Sequence, residues 1–214
     1  MPDHLAGFTY RLLPGERRLT VVALHGTGGD ENDLLQLGGA VAPGATLLSP
    51  RGRVLEQGMA RFFRRHAEGV FDEDSIRGEA AALAQFLRSA MLQHRLEAQP
   101  RVALGYSNGA NIAAALLLLH PGVLTGAVLL RPMLPLLPPT PPDLTHVPVL
   151  LSSGTRDPIV PAARVEALED LLRRSGADVT LRWQSGAHGL MREDVADSQA
   201  WMEARFPQAG PPRT

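Results

Sequence analysis

Cysteine and lysine are both missing from this 214-residue chain. Without cysteine there is no disulfide, no thiolate metal site and no thiol nucleophile. Without lysine there is no Schiff-base chemistry and no Walker-type phosphate lysine; all 21 basic residues are arginine. Nor is there an excess of charge of either sign. A formal net charge of −1 creates no overall field that would recruit nucleic acid or an anionic membrane. Long hydrophobic runs are also lacking, since the longest, Ile112 to Leu119, is too short to span a bilayer. The opening Met1-Pro2-Asp3-His4 has no basic segment followed by an apolar stretch, so no secretory signal is expected. These absences leave a soluble cytoplasmic protein as the expectation, with no nucleic-acid partner and no membrane insertion. What remains is ordinary: 44% apolar and 20% charged residues, in a length that suits one domain over residues 1–214.

Apolar runs alternate with helical patterns along the chain. Phe8 to Leu13, Leu19 to Leu24, Ala45 to Ser49, Gly126 to Leu130, Val149 to Ser153 and Val179 to Trp183 read as strands. Helices are expected from Asp30 to about Val41, from Asp72 or Asp74 to about Leu96, over Ala162 to Ser175, and over 192–206. Residues 51–74 read as irregular, and 207–214 as a loose tail. Six of the twelve residues Arg131 to Pro142 are proline, which predicts a stiff surface loop rather than a helix or central strand. The alternation predicts an α/β three-layer sandwich with a mainly parallel sheet, whose chemistry gathers at the carboxyl ends of its strands.

The densest motif is Val102-Ala103-Leu104-Gly105-Tyr106-Ser107-Asn108-Gly109. It reads as a strand, a Gly-x-Ser-x-Gly turn and then a helix: a nucleophile elbow that holds a serine hydroxyl free above a helix N-terminus. Two further strand ends carry ionisable residues. Gly154-Thr155-Arg156-Asp157-Pro158 follows one, and Ser185-Gly186-Ala187-His188-Gly189 follows another. The chain order is therefore Ser107, Asp157, His188. A serine hydroxyl is a poor nucleophile at neutral pH; a neutral imidazole takes its proton, and a carboxylate fixes the imidazole tautomer. Asp143 and Asp178 fit the acid role less well, because neither follows a predicted strand end. The oxyanion formed on attack needs backbone donors. The N–H of Asn108, just after the nucleophile, supplies one. The loop His25-Gly26-Thr27-Gly28-Gly29 supplies the other, with Thr27 favoured. His25 itself reads as structural, and His66, His94, His120 and His146 show no metal spacing. No metal or cofactor is implied.

These blocks carry a specific resemblance. With Leu24 to Glu31, Gly105 to Asn111, Gly154 to Pro161 and Ser185 to Gly189, the chain resembles the phospholipase/carboxylesterase family, the acyl-protein-thioesterase-like α/β-hydrolases. Arg61-Phe62-Phe63-Arg64-Arg65 with Gly69-Val70-Phe71-Asp72 looks most like a bacterial branch that includes carboxylesterases linked to hydroquinone and quinone detoxification. Thioesterase members commonly carry Leu and Gln where this chain has Thr27 and Asn108. The oxyanion donors are backbone groups, so the mechanism survives the change while long-chain acyl specificity loses support. Dienelactone hydrolases, similar in outline, use a cysteine that this chain lacks.

The resemblance implies hydrolysis of small to medium carboxylic esters through an acyl-enzyme. A thioesterase or lysophospholipase on longer chains is the alternative, and a non-catalytic binding protein of the same fold is the rival from another class. Phe62 and Phe63, and Met133 and Leu134, are the candidates for two walls of the substrate site, against a reading of Phe62 and Phe63 as core. Arg61, Arg64 and Arg65 read as a solvated basic patch. No insertion resembles a lipase lid, so an open, shallow site is expected. Beyond a small-molecule ester, the one partner suggested is a second copy of the chain. The suggestion rests on Leu134, Leu136 and Leu137 taken as an exposed patch, and on the resemblance.

Overall fold

A computed structural model describes residues 2–208. Residues 209–214, most of the expected loose tail, lie outside the described part. The described chain runs β1 (Asp3–Leu5), β2 (Phe8–Leu13), β3 (Arg17–Leu24), α1 (Leu35–Val41), β4 (Ala45–Pro50), β5 (Val54–Glu56), β6 (Met59–Arg61), β7 (Arg65–Ala67), β8 (Val70–Phe71), α2 (Glu73–Gln93), β9 (Arg101–Tyr106), α3 (Asn108–Leu119), β10 (Gly126–Leu130), β11 (Pro148–Gly154), α4 (Ala162–Arg174), β12 (Asp178–Gln184) and α5 (Arg192–Arg205).

Eight strands form one sheet in the order β1-β2-β4-β3-β9-β10-β11-β12. The pairs from β4 to β12 are parallel; β1/β2 and β2/β4 are antiparallel. The central strands are apolar on both sides because both faces are covered. Alternate residues go to opposite layers. Val22, Leu24, Ala103, Leu129 and Leu151 pack with side chains of α2, α3 and α4. Val21, Val102, Leu104, Val128 and Leu150 pack with those of α1 and α5. The α/β sandwich with a mainly parallel sheet is thus the observed architecture. α3 is buried over nearly its whole length, which explains its uniformly aliphatic sequence.

Two expectations about local structure need correction. The helix expected from Asp30 begins only at Leu35. Asp30 Oδ1 instead accepts the N–H of Asn32 at 2.7 Å, a turn made by the side chain that competes with helix. Residues 51–74 are not irregular. They hold two small antiparallel hairpins, β5/β6 and β7/β8, too short to show a period in the sequence. Asp72 then caps α2, accepting the Ser75 N–H at 2.9 Å.

The proline-rich segment has neither helix nor strand, as expected, and residues 137–143 are exposed or half-buried, but its first half is not a surface loop. Arg131, Pro132, Met133, Pro135 and Leu136 are buried. Of the three leucines taken as an exposed patch, Leu136 is 3% exposed and Leu134 half-buried, while Leu137 is 64% exposed. The patch that suggested a second copy therefore reduces to one side chain.

The elbow depends on two glycines. A Cβ on Gly105 would lie 2.6 Å from the Gly109 carbonyl oxygen, and one on Gly109 would lie 1.9 Å from the Leu24 carbonyl oxygen. Neither distance is tolerable, and the obstructing atoms are backbone that cannot rotate away. Gly109→Ala is expected to destabilise the fold by about 3 kcal/mol or more, at the upper end of overpacking costs. That corresponds to a melting temperature lower by roughly 6–12 °C for a domain of this size. Thermal melts by circular dichroism check this; an unchanged melting temperature would mean that α3 can shift off β3.

Candidate active site

Ser107 stands between β9 and α3 with φ 52° and ψ −111°, a conformation that non-glycine residues avoid. Such strain costs on the order of 1–3 kcal/mol and persists only where its surroundings enforce it. Here the Ser107 N–H donates to Leu130 O at 2.9 Å, and its carbonyl accepts the Asn111 N–H at 3.0 Å. β10 on one side and the first turn of α3 on the other hold the turn closed.

His188 and Asp157 come to this point from two separate strand ends. Ser107 Oγ lies 3.0 Å from His188 Nε2, and His188 Nδ1 lies 2.8 Å from Asp157 Oδ2. With Nδ1–H donating to the carboxylate, Nε2 is left as an acceptor for the serine hydroxyl. Asp157 Oδ1 accepts the N–H groups of Ile159 and Val160 at 2.8 and 3.1 Å, which fixes the carboxylate plane. The Asp157 side chain is fully buried and that of His188 partly open. The three residues named from the sequence therefore form one continuous hydrogen-bonded chain. The rejected acids are engaged elsewhere: Asp143 accepts the Thr145 N–H, and Asp178 pairs with Arg205.

The loop after β3 is held from beneath by His25. Its Nδ1–H donates to Gly26 O at 2.7 Å, and its Nε2 accepts the Gly52 N–H at 2.9 Å. Both ring nitrogens are used and the ring packs on Phe62 at 4.8 Å, a structural role. Gly28 N–H donates to Ala60 O, and Gly29 N–H to Gly26 O. The Thr27 N–H enters neither bond, while Thr27 Oγ1 accepts from Arg61 Nη1 at 2.6 Å. Asn108 is the first residue of α3, so its N–H lies outside the helical ladder.

The expected substrate walls are mostly elsewhere. Phe62 and Phe63 do not line the site; they are 1% and 0% exposed, and anchor the hairpins into the core. Met133 packs on Val160 and Val165 beneath the Asp157 loop. Leu134 is half-buried against the core, its carbonyl accepting from Arg164 at 2.8 Å. Of the three arginines only Arg64 is solvated as expected, its side chain 63% exposed. Arg61 is 3% exposed, lies 3.4 Å from Glu56 and braces Thr27, while Arg65 pairs with Glu56 and Arg64 with Asp72. One residue the sequence reading passed over is Met59. It is partly exposed and lies over Gly28, where a Cβ would meet its Cγ and Sδ at 3.7 Å. A methionine after a Gln-Gly turn carries no sequence signal for that position.

The elbow helix ties both flanks of the site through side-chain amides. Asn108 Oδ1 accepts the Phe62 N–H at 2.7 Å, and Asn111 Oδ1 accepts the Met133 N–H at 2.8 Å.

A family model for phospholipases and carboxylesterases matches residues 15–205 of the chain. The chain is 43% identical to the putative hydrolase MhqD of Bacillus subtilis over 181 residues, 85% of this chain and 90% of that one. Among solved structures, a Bacillus cereus carboxylesterase superposes with a TM-score of 0.90 at 40% identity, covering 93% of this chain and 95% of the other. A Mesorhizobium loti carboxylesterase gives 0.87 at 40% identity, covering 94% and 96%.

The buried His25 gives the loop a pH dependence. Burial pushes its pKa below the ordinary 6.5, opposed in part by the bond to Gly26 O. Protonation would also cost the acceptor that holds Gly52 N–H. Between the lowered folded value and the unfolded one, the unfolded chain binds more protons. Stability is therefore full above about pH 6.5 and declines as pH falls toward the folded value. Melting temperatures between pH 7.5 and 5.5 are expected to fall, with a shallower slope in His25→Asn. Identical slopes in the two proteins would place the titration at other groups.

Proposed function

The chain belongs to the phospholipase/carboxylesterase family, and from that premise we propose that it hydrolyses carboxylic esters with Ser107 as nucleophile, His188 as general base and acid, and Asp157 as the orienting carboxylate. The observation that carries the reading is the unbroken chain from Asp157 through His188 to Ser107, at 2.8 and 3.0 Å.

The steps follow from that geometry. Ser107 Oγ attacks the ester carbonyl carbon as its proton passes to His188 Nε2. Asp157, already bonded to Nδ1–H, stabilises the imidazolium that forms. The carbonyl oxygen, now anionic, is received by the N–H groups of Thr27 and Asn108. Each such donor contributes about 3–4 kcal/mol to lowering the barrier where one has been removed in related chemistry. Collapse of the tetrahedral intermediate expels the alcohol, which takes the proton from His188, and leaves Ser107 acylated. Water then attacks the acyl carbon by the same route, and the carboxylic acid departs.

For the substrate, Met59 over the oxyanion loop supports a wall that the hairpin β5/β6 supplies, in place of Phe62 and Phe63. Arg61 acts on substrate only through Thr27, since its guanidinium is buried and shared among Thr27 Oγ1, Phe63 O and Glu56.

p-Nitrophenyl acetate and butyrate test the reading. Ser107→Ala is expected to lower kcat by about 10⁴-fold or more, and a fluorophosphonate is expected to label wild type at Ser107 alone. Equal turnover in both proteins would refute Ser107 as nucleophile, and failure of labelling in folded protein would favour a non-catalytic binding role. An acyl-chain series separates the small-ester reading from a thioesterase or lysophospholipase. Rates that keep rising beyond about eight carbons, as added methylenes are buried, would support the long-chain alternative.

A further inference from the structure

His188 sits in a loop made of small residues, Ser185-Gly186-Ala187-His188-Gly189, which has little packing of its own to hold a direction. Yet its ring must stay within hydrogen-bond reach of Ser107 and Asp157 at once. The restraint comes from Arg131, the residue after β10, which has φ 57° and is fully buried. Arg131 Nε–H donates to Ala187 O at 3.1 Å, and Nη2 donates to Gly189 O at 2.9 Å. These are the carbonyls on either side of His188. The carbonyl between them, that of His188, accepts the Tyr106 hydroxyl at 3.2 Å. Three consecutive carbonyls of the loop are therefore held from the ends of β9 and β10.

The remaining donors of Arg131 explain why the guanidinium itself does not move. Nη1 and Nη2 reach Asp194 Oδ1 and Oδ2 at 2.8 and 2.7 Å, and Nη1 also donates to Ser152 O at 3.3 Å. All five N–H groups of the guanidinium are thereby occupied. Asp194 is itself fixed: it accepts Ser152 Oγ–H at 2.6 Å and Met191 N–H at 2.8 Å, the latter at the start of α5. The ion pair is sealed, with the two side chains 0% and 1% exposed.

We propose that Arg131 is a positioning residue, whose guanidinium, anchored by Asp194, holds the backbone on both sides of His188 and so aims the imidazole at Ser107. This rests on the triad reading above. Its signature is a loss of turnover without a loss of substrate binding, because Arg131 is sealed from the substrate. Lysine cannot replace it, since an ammonium offers three donors from one point where the fork offers five in a plane.

The test uses p-nitrophenyl acetate kinetics and thermal melts on four variants. Arg131→Lys is expected to lower kcat by about 10–100-fold, the scale of an ångström-sized misplacement, with KM within about threefold. The double variant Arg131→Met/Asp194→Leu removes the buried ion pair without leaving either charge unpaired, though Ser152 Oγ–H and Met191 N–H lose their acceptor. It is expected to melt below wild type, and its kcat, measured well below that melting temperature, is expected to be at least about tenfold low at a KM within about threefold. Tyr106→Phe removes the third tie and is expected to lower kcat several-fold at unchanged KM. A wild-type kcat in the double variant would overturn the proposal, since the pair would then be merely structural. If Arg131→Lys does not fold, the double variant carries the test alone. Ser107→Ala separates the two layers. Its full activity would refute the triad, whereas an inactive Ser107→Ala beside a fully active double variant would refute the positioning alone.

Discussion

The close approach of α3 to β3 at Gly109 is the constraint on which the rest of the site depends. Without a side chain there, the first turn of α3 can press against the Leu24 carbonyl. That contact sets the elbow turn against the end of β3, beside the point where β10 and α3 hold Ser107 in its strained conformation. Local strain and a close backbone contact are thus parts of one packing arrangement.

From that contact outward, the site is built by polar side chains of the elbow helix. Asn108 and Asn111 point their amide oxygens in different directions, one to the hairpin segment at Phe62 and one to the proline-rich segment at Met133. Neither Phe62 nor Met133 lies within a strand or helix, so their N–H groups take side-chain partners. A helix that is otherwise aliphatic spends its two polar residues on locating the two flanks of the serine. The Asn at position 108, read from the sequence as a departure from thioesterase relatives, has a use in this chain that its backbone N–H alone would not reveal.

The parts of the molecule legible in the sequence were those with a strong period or a rigid chemical motif. Central strands such as Val102 to Gly105 and Val149 to Ser153 declared themselves as unbroken apolar runs, because both faces of a parallel sheet are covered. Ser107 was readable because it ends such a run, and Asp157 and His188 because each comes within a few positions of a strand end. What escaped lies where long-range contacts decide. Phe62 and Phe63 fall between two hairpins, and nothing local distinguishes a wall aromatic from one turned inward to His25 and Phe71. Arg61 looked like part of a basic run because Thr27, which it braces, is far away in sequence and uncharged, and because the hairpin turn that folds Glu56 back onto it carries no sequence period. Arg131 opened a proline-rich stretch and was taken with it; its five acceptors come from three other segments and could not be seen from its neighbours.

The hairpins β5/β6 and β7/β8 are fastened by their inner residues, Phe62, Phe63 and Arg61, while Leu55, Met59 and Val70 face outward. Fastening and display are therefore assigned to different residues of the same short ribbons. The outer positions can be rewritten without touching the groups that fix Ser107, His188 or the loop at Thr27. The short ribbons thus carry a modular arrangement, in which exposed side chains can vary while the buried ones that fasten the ribbons stay unchanged.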